Sequence, residues 1–168
     1  MMPGRLFISI FLLFLLTIPA GCRNSTPRLH SGDPAPGFSL PVLDEKRIVT
    51  FPTDLMGKVT AIRFWADWCP YCDHEMRDLE PVFRKYHDRG LEILAINVHQ
   101  DAPTAARFVQ RLGISYQVLL DQQGKTAAAY QVIGLPTTYI VDRKGVISTK
   151  IVGESSAELF VQLIEKLL

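Results

Sequence analysis

The sequence predicts an α/β fold: a central mixed sheet flanked by helices, with an extra N-terminal β-hairpin. Three observations predict it. Short runs rich in β-branched and aromatic residues alternate with stretches of helical periodicity. One run, Leu91 to Val98, is nearly all apolar, as expected of a central strand covered on both faces. Near the end of the chain two strands follow each other across the turn Arg143-Lys144-Gly145, which adds antiparallel edge strands.

Taken in order, Phe38 to Leu43 and Arg47 to Phe51 read as short strands around Asp44-Glu45-Lys46, and Asp54 to Lys58 is a polar stop. Val59 to Ala66 is a strand, and Pro70 to Asp88 a helix whose Met76, Leu79, Val82, Phe83 and Tyr86 recur at helical spacing. Pro81 inside that helix removes a backbone hydrogen bond to Arg77, so a bend is expected there. Pro103 to Leu112 is a second helix, with Pro103 in its first turn and Gly113 as its stop. Tyr116 to Leu120 reads as a short strand, Lys125 to Gln131 as a short helix, Thr137 to Asp142 and Val146 to Val152 as the two late strands, and Ser156 to Leu168 as a closing amphipathic helix.

The front of the chain differs from the rest. From Leu6 to Ile18 every residue except Ser9 and Thr17 is apolar, Arg5 precedes the run, and Pro19-Ala20-Gly21-Cys22 follows. A run of this length falls short of the roughly 20 residues of a bilayer span and reads as an export signal over residues 1–21. The polar, Pro- and Ser-containing stretch 22–34 reads as a tether, and 35–168 as one domain, long enough to bury roughly two thirds of its unfolded surface. Removing the leader takes one of the 18 basic residues, Arg5, and leaves 17 against 17 acidic ones. That balance points to no nucleic acid or anionic surface as partner. There is no internal repeat and no low-complexity tract.

The chain has three cysteines, and two of them lie in Phe64-Trp65-Ala66-Asp67-Trp68-Cys69-Pro70-Tyr71-Cys72, directly after a strand and directly before a helix. That placement suits thiol-disulfide exchange, because the attacking species is a thiolate and unpaired N–H groups at a helix N-terminus favour it. A purely structural disulfide would close too small a loop to constrain the unfolded chain much. A zinc site requires four ligands, and no second cysteine pair is present. The third cysteine, Cys22, would be an unpaired thiol in an oxidising compartment.

Four segments in order resemble a known family: Gly32-Asp33-Pro34-Ala35-Pro36-Gly37-Phe38-Ser39-Leu40, the Phe64–Cys72 segment, Glu75, and Gly134-Leu135-Pro136-Thr137-Thr138-Tyr139-Ile140-Val141-Asp142. Together they are similar to the thioredoxin-fold proteins, and closest to the tethered extracytoplasmic group represented by ResA, TlpA and the thioredoxin-like factors of cytochrome c maturation. The resemblance implies a thioredoxin fold and a protein-disulfide reductase needing no cofactor. In it Cys69 is the attacking thiolate, Cys72 the resolving thiol and Glu75 a modulator of proton transfer. It also implies a cis Pro136 facing the dithiol, with Leu135 offering main-chain hydrogen bonds to an extended substrate and Trp68, Pro70 and Tyr71 beside it. The implied partners are exported proteins with cysteines, apocytochrome c first among them, and a membrane dithiol donor upstream. Ala20-Gly21-Cys22 resembles a bacterial lipoprotein signal, so Cys22 is expected to carry a lipid that holds a monomeric domain on the extracytoplasmic face, facing the periplasm in a Gram-negative cell.

The chain departs from the family in two places. Arg63 stands where thioredoxin has a buried aspartate, which removes that residue's proton relay, and Arg77 stands where many relatives have proline. Other readings have less behind them. Gly124-Lys125-Thr126 lacks the earlier glycine of a phosphate loop, since that position is Leu119, and reads as a turn into a helix. A peroxiredoxin shares the opening segment, but its Thr-x-x-Cys setting is absent at Ala66-Asp67-Trp68-Cys69. Trp65 and Trp68 read as packing residues beside the site. The alternative function is a Cu(I) metallochaperone, for which soft thiolates would serve. His74 and His99 read better as solvated or hydrogen-bonded side chains than as copper ligands.

Overall fold

The computed structural model describes residues 28–168; the expected export signal and Cys22 lie outside the described residues. An antiparallel hairpin comes first, β1 (Phe38–Pro41) with β2 (Ile48–Phe51). The main sheet contains β3 (Val59–Trp65), β4 (Leu91–Val98), β5 (Gln117–Asp121), β6 (Thr137–Val141) and β7 (Ile147–Val152), in the order β5-β4-β3-β6-β7. β3, β4 and β5 run parallel, whereas β6 pairs antiparallel with β3 and β7 antiparallel with β6. Four α-helices complete the domain: α1 (Cys72–Tyr86), α2 (Ala102–Gln110), α3 (Lys125–Ala129) and α4 (Ala157–Glu165).

Alternation along β3 sorts the core into two layers. Val59, Ala61 and Trp65 join Met76 and Leu79 of α1, Phe108 of α2 and Phe160 and Ile164 of α4. Ile62 and Phe64 join Leu40, Val49 and Phe51 of the hairpin and Ala127 of α3. Arg63 falls in the first set by the two-residue period and is as buried as its apolar neighbours. α2 begins where Asp101 accepts a hydrogen bond from the Thr104 amide at 2.8 Å, with Pro103 in the first turn, and α4 is capped in the same way by Ser156. Gly124 leads into α3 with φ at 66°, and a Cβ there would lie 2.0 Å from the His99 ring, so both backbone and space require glycine.

Two boundaries differ from the sequence reading. α1 starts at Cys72, two residues later than expected, because Pro70 and Tyr71 form a turn that ends in the hydrogen bond from the Cys72 amide to the Cys69 carbonyl. It then runs through Pro81 without interruption to Tyr86. The expected tether 22–34 is attached to the domain well before its end. The Gly32 amide donates to Ile147, the Ile147 amide donates to Asp33, and Ser31 Oγ donates to Ser148.

One buried acid away from the cysteines carries a prediction. Glu80 on α1 accepts from Ser115 N and Oγ, both at 2.7 Å, and from Arg84 Nε at 2.5 Å. Burial alone would push its carboxyl up, but the Ser115 and Arg84 hydrogen bonds outweigh burial and hold it below the ordinary value of 4.5. A lowered folded-state value means that stability is present above the unfolded value and lost as pH falls through the folded one. Ser115→Ala is therefore expected to cost about 1–2 kcal/mol at neutral pH, and this deficit should shrink in acid as Glu80 takes its proton. Urea unfolding of both proteins across pH checks it; a deficit independent of pH would exclude the carboxylate as its source.

Candidate active site

β3 ends at Trp65, and the turn Ala66-Asp67-Trp68 brings the chain to Cys69, whose amide donates to the Ala66 carbonyl at 3.2 Å. Cys69 and Cys72 form a disulfide, with 2.14 Å between sulfurs and 5.4 Å between Cα atoms. The turn is latched to the end of β4: Asp67 N donates to Gln100 Oε1 at 2.9 Å, Gln100 Nε2 donates to Asp67 Oδ1 at 2.5 Å, and Asn97 Nδ2 donates to Gln100 Oε1 at 2.8 Å. Nothing local in the sequence signals this latch, since 33 residues separate Asp67 from Gln100.

The disulfide lies low in an apolar rim. Cys69 is only 2% exposed and Cys72 is buried, whereas Trp68 is 68% and Tyr71 50% exposed and Pro70 is exposed as well. The packing role expected of both tryptophans thus falls to Trp65 alone, which is buried and stacked on Phe108 with ring centroids 5.0 Å apart. The register Phe64↔Thr137 sets the start of β6 beside the end of β3, and the Leu135–Pro136 peptide just before it is cis. Half-buried Leu135 packs against the core cluster that contains both cysteines, while Ile133, two residues earlier, is 90% exposed.

Glu75, one turn beyond Cys72, is buried rather than facing solvent. It forms a fork-to-fork ion pair with Arg63, Nη1 donating to Oε1 at 2.9 Å and Nη2 to Oε2 at 2.5 Å. Arg63 was legible only as a departure from the family, although a charge on the covered face of a strand demands a buried counter-charge. Among the described residues, the buried side-chain polar atoms without a hydrogen-bond partner are Arg63 Nε, Trp65 Nε1 and Asn97 Oδ1. All three belong to the halves of β3 and β4 that lead to the disulfide. Such a cluster is a stability cost concentrated at the site of chemistry. His74 and His99 are both exposed, His74 bonded to Glu154 at 2.6 Å.

A parallel-to-antiparallel sheet with a two-residue cysteine spacing between β3 and α1, beside a cis-proline loop, defines a thioredoxin-fold thiol-disulfide oxidoreductase. Known proteins agree with this class. The chain belongs to the AhpC/TSA family, whose model matches residues 31–150, and within it to the ResA-type thioredoxin-like group. It is 28% identical over 173 residues to the thiol-disulfide oxidoreductase ResA of Bacillus cereus, covering 99% of both chains. It is 32% identical to the ResA of Geobacillus thermodenitrificans, covering 95% of this chain and 93% of the relative. Among solved structures, a candidate thiol:disulfide interchange protein DsbE from Chlorobium tepidum superposes with a TM-score of 0.77 at 30% identity, over 83% of this chain and 98% of that one.

Proposed function

We propose that this oxidoreductase works as a reductant of exported proteins, held at the extracytoplasmic membrane surface by a lipid on Cys22. The observation that carries the chemistry is the Cys69–Cys72 disulfide set in a rim of exposed Trp68, Pro70 and Tyr71 beside the Leu135–Pro136 loop. In the reduced protein the Cys69 thiolate attacks one sulfur of a substrate disulfide. The substrate S–S bond breaks, a Cys69–substrate bond forms, and the departing substrate sulfur takes a proton. Cys72 then loses its proton, attacks Cys69 Sγ and releases the second substrate thiol. Two electrons have passed to the substrate, and the Cys69–Cys72 disulfide must be reduced again by a dithiol upstream.

In this reading Leu135 offers its main chain to an extended substrate segment, and Pro136 has no N–H to compete for it. Trp68, Pro70 and Tyr71 present apolar surface to the residues around the client cysteine, and the domain acts as a monomer. The resemblance to the cytochrome c maturation factors supports apocytochrome c as client and a membrane electron carrier as donor.

The test is catalytic turnover in insulin reduction with a dithiol as electron source. Sustained turnover by the wild-type domain is expected. A protein that binds Cu(I) through the two thiols and shows no turnover would support the metallochaperone reading instead.

A further inference from the structure

The Glu75 carboxylate, paired with Arg63, is the most heavily bonded acid in the site. Oε1 of Glu75 accepts from Arg63 Nη1 at 2.9 Å, Ser155 Oγ at 2.8 Å and Ser155 N at 3.2 Å, while Oε2 accepts from Arg63 Nη2 at 2.5 Å. Arg63 Nη1 also donates to Thr138 Oγ1 at 3.1 Å. One guanidinium on β3 therefore joins the first turns of α1 to the loop before α4 and to the strand that follows Pro136.

A carboxylate has about four acceptor directions, and four donors engage this one. A group that carries protons must be able to exchange its partners during the reaction. Oε1 has no direction left with which to reach a cysteine sulfur, and a proton on Oε2 would cancel the charge that the Arg63 fork pairs with. We propose that Arg63 is a positioning residue for the dithiol: it holds Glu75 as a fixed, ion-paired carboxylate, so that the glutamate sets the placement and charge of the first turns of α1 and carries no protons. This rests on the reading of Cys69 as the attacking thiolate.

Asp78 and Glu158 line the groove beside Ser155, and other charges near the first turn of α1 are engaged elsewhere. Asp73 is paired with Arg77 and His74 with Glu154, all of them at least partly exposed, and Asp67 is bonded to Gln100. The Tyr116 hydroxyl, pushed above its ordinary value chiefly by burial, donates to the Met76 carbonyl. Within the pair, each charge masks the other from the thiols. Glu75→Gln would unmask a positive charge, which favours the thiolate. Arg63→Gln would strip a buried carboxylate of its counter-charge, which favours its protonated form and makes it titrate.

The experiment is the rate of iodoacetamide alkylation of the reduced protein against pH, with mass spectrometry to show which cysteine reacts. The wild type is expected to show one ionisation step, and Glu75→Gln one step displaced to lower pH by roughly one unit, the low end of what a nearby charge produces. Arg63→Gln is expected to show two steps, and Arg63→Gln/Glu75→Gln one step again. Arg63→Lys, which keeps the charge without the fork, should keep the single wild-type step and secures the test if Arg63→Gln does not fold. Two steps in the wild type, one of them lost in Glu75→Gln, would make Glu75 a proton carrier and overturn the proposal. A single step at the wild-type midpoint in Arg63→Gln would overturn it equally, as would a second step in Arg63→Lys. Alkylation at Cys72 instead of Cys69 would refute the nucleophile assignment separately, while the comparison of charge variants could still be read on the reacting thiol.

Discussion

Cys69→Ser is expected to reduce insulin turnover to the level without enzyme, whereas Cys72→Ser is expected to stop the cycle halfway with a client covalently attached. The difference follows from the proposed order of the two steps. On the proposed roles, Cys69→Ser removes the attacking thiolate, and Cys72, the buried first residue of α1, does not replace it. Without Cys72 the first exchange still occurs, but nothing attacks the mixed disulfide from within the protein. Non-reducing electrophoresis of cells making the Cys72→Ser protein should show thiol-sensitive adducts, and mass spectrometry would identify the clients. Trapping by Cys69→Ser instead of Cys72→Ser would reverse the roles given to the two cysteines.

The second large effect concerns stability. Arg63→Ala is expected to cost about 3–5 kcal/mol, because it leaves the Glu75 carboxylate buried without a counter-charge. Against a total of about 5–15 kcal/mol for a domain, this is a large fraction, and a fall in Tm on the order of 10 °C should accompany it. Replacing both partners with apolar residues of similar size, as in Arg63→Met/Glu75→Leu, should restore much of the loss, since a buried pair is seldom worth more than good apolar packing. Guanidinium unfolding of the two proteins checks this. A double variant as unstable as Arg63→Ala would show that the pair itself, not the orphaned charge, holds α1 to the sheet.

The fold was legible because its signals are local and periodic. Every strand and helix read from the sequence is present to within a few residues, including the early hairpin and the late antiparallel strands, whose alternation and turns lie within short windows. The start of α1 was misplaced because Pro70 suits a first helical turn, whereas the chain spends Pro70 and Tyr71 on the turn that brings the cysteines together. The cysteine pair was legible from its spacing and the proline loop from its resemblance to a family. The contacts around them were not. Arg63 and Glu75 are 12 residues apart, Ser155 lies 80 residues beyond Glu75, and Gln100 is 33 from Asp67. Only the three-dimensional register of β3, β6 and the α4 approach brings them together. The one available hint was energetic: an arginine amid Ala61, Ile62, Phe64 and Trp65 has no place to put its charge unless an acid meets it.

The segment ahead of and within the hairpin acts as a strap across the sheet. At one side Gly32 and Asp33 bond to Ile147 of β7, and at the other the Leu43 amide donates to Val118 of β5 at 2.8 Å, beside a bridge between Val42 and Leu119. β5 and β7 are the two outermost strands, so a single stretch of chain covers part of each. Exposed strand edges are templates on which neighbouring molecules add strands and aggregate. A chain shortened to begin at Phe38 would keep the disulfide and the ion pair, yet it would lose Ala35 from the core and the Pro36 carbonyl that accepts from the Tyr130 hydroxyl, and it would open the β7 margin to its neighbours. Solubility at high concentration, rather than redox activity, is the property that such trimming would spend.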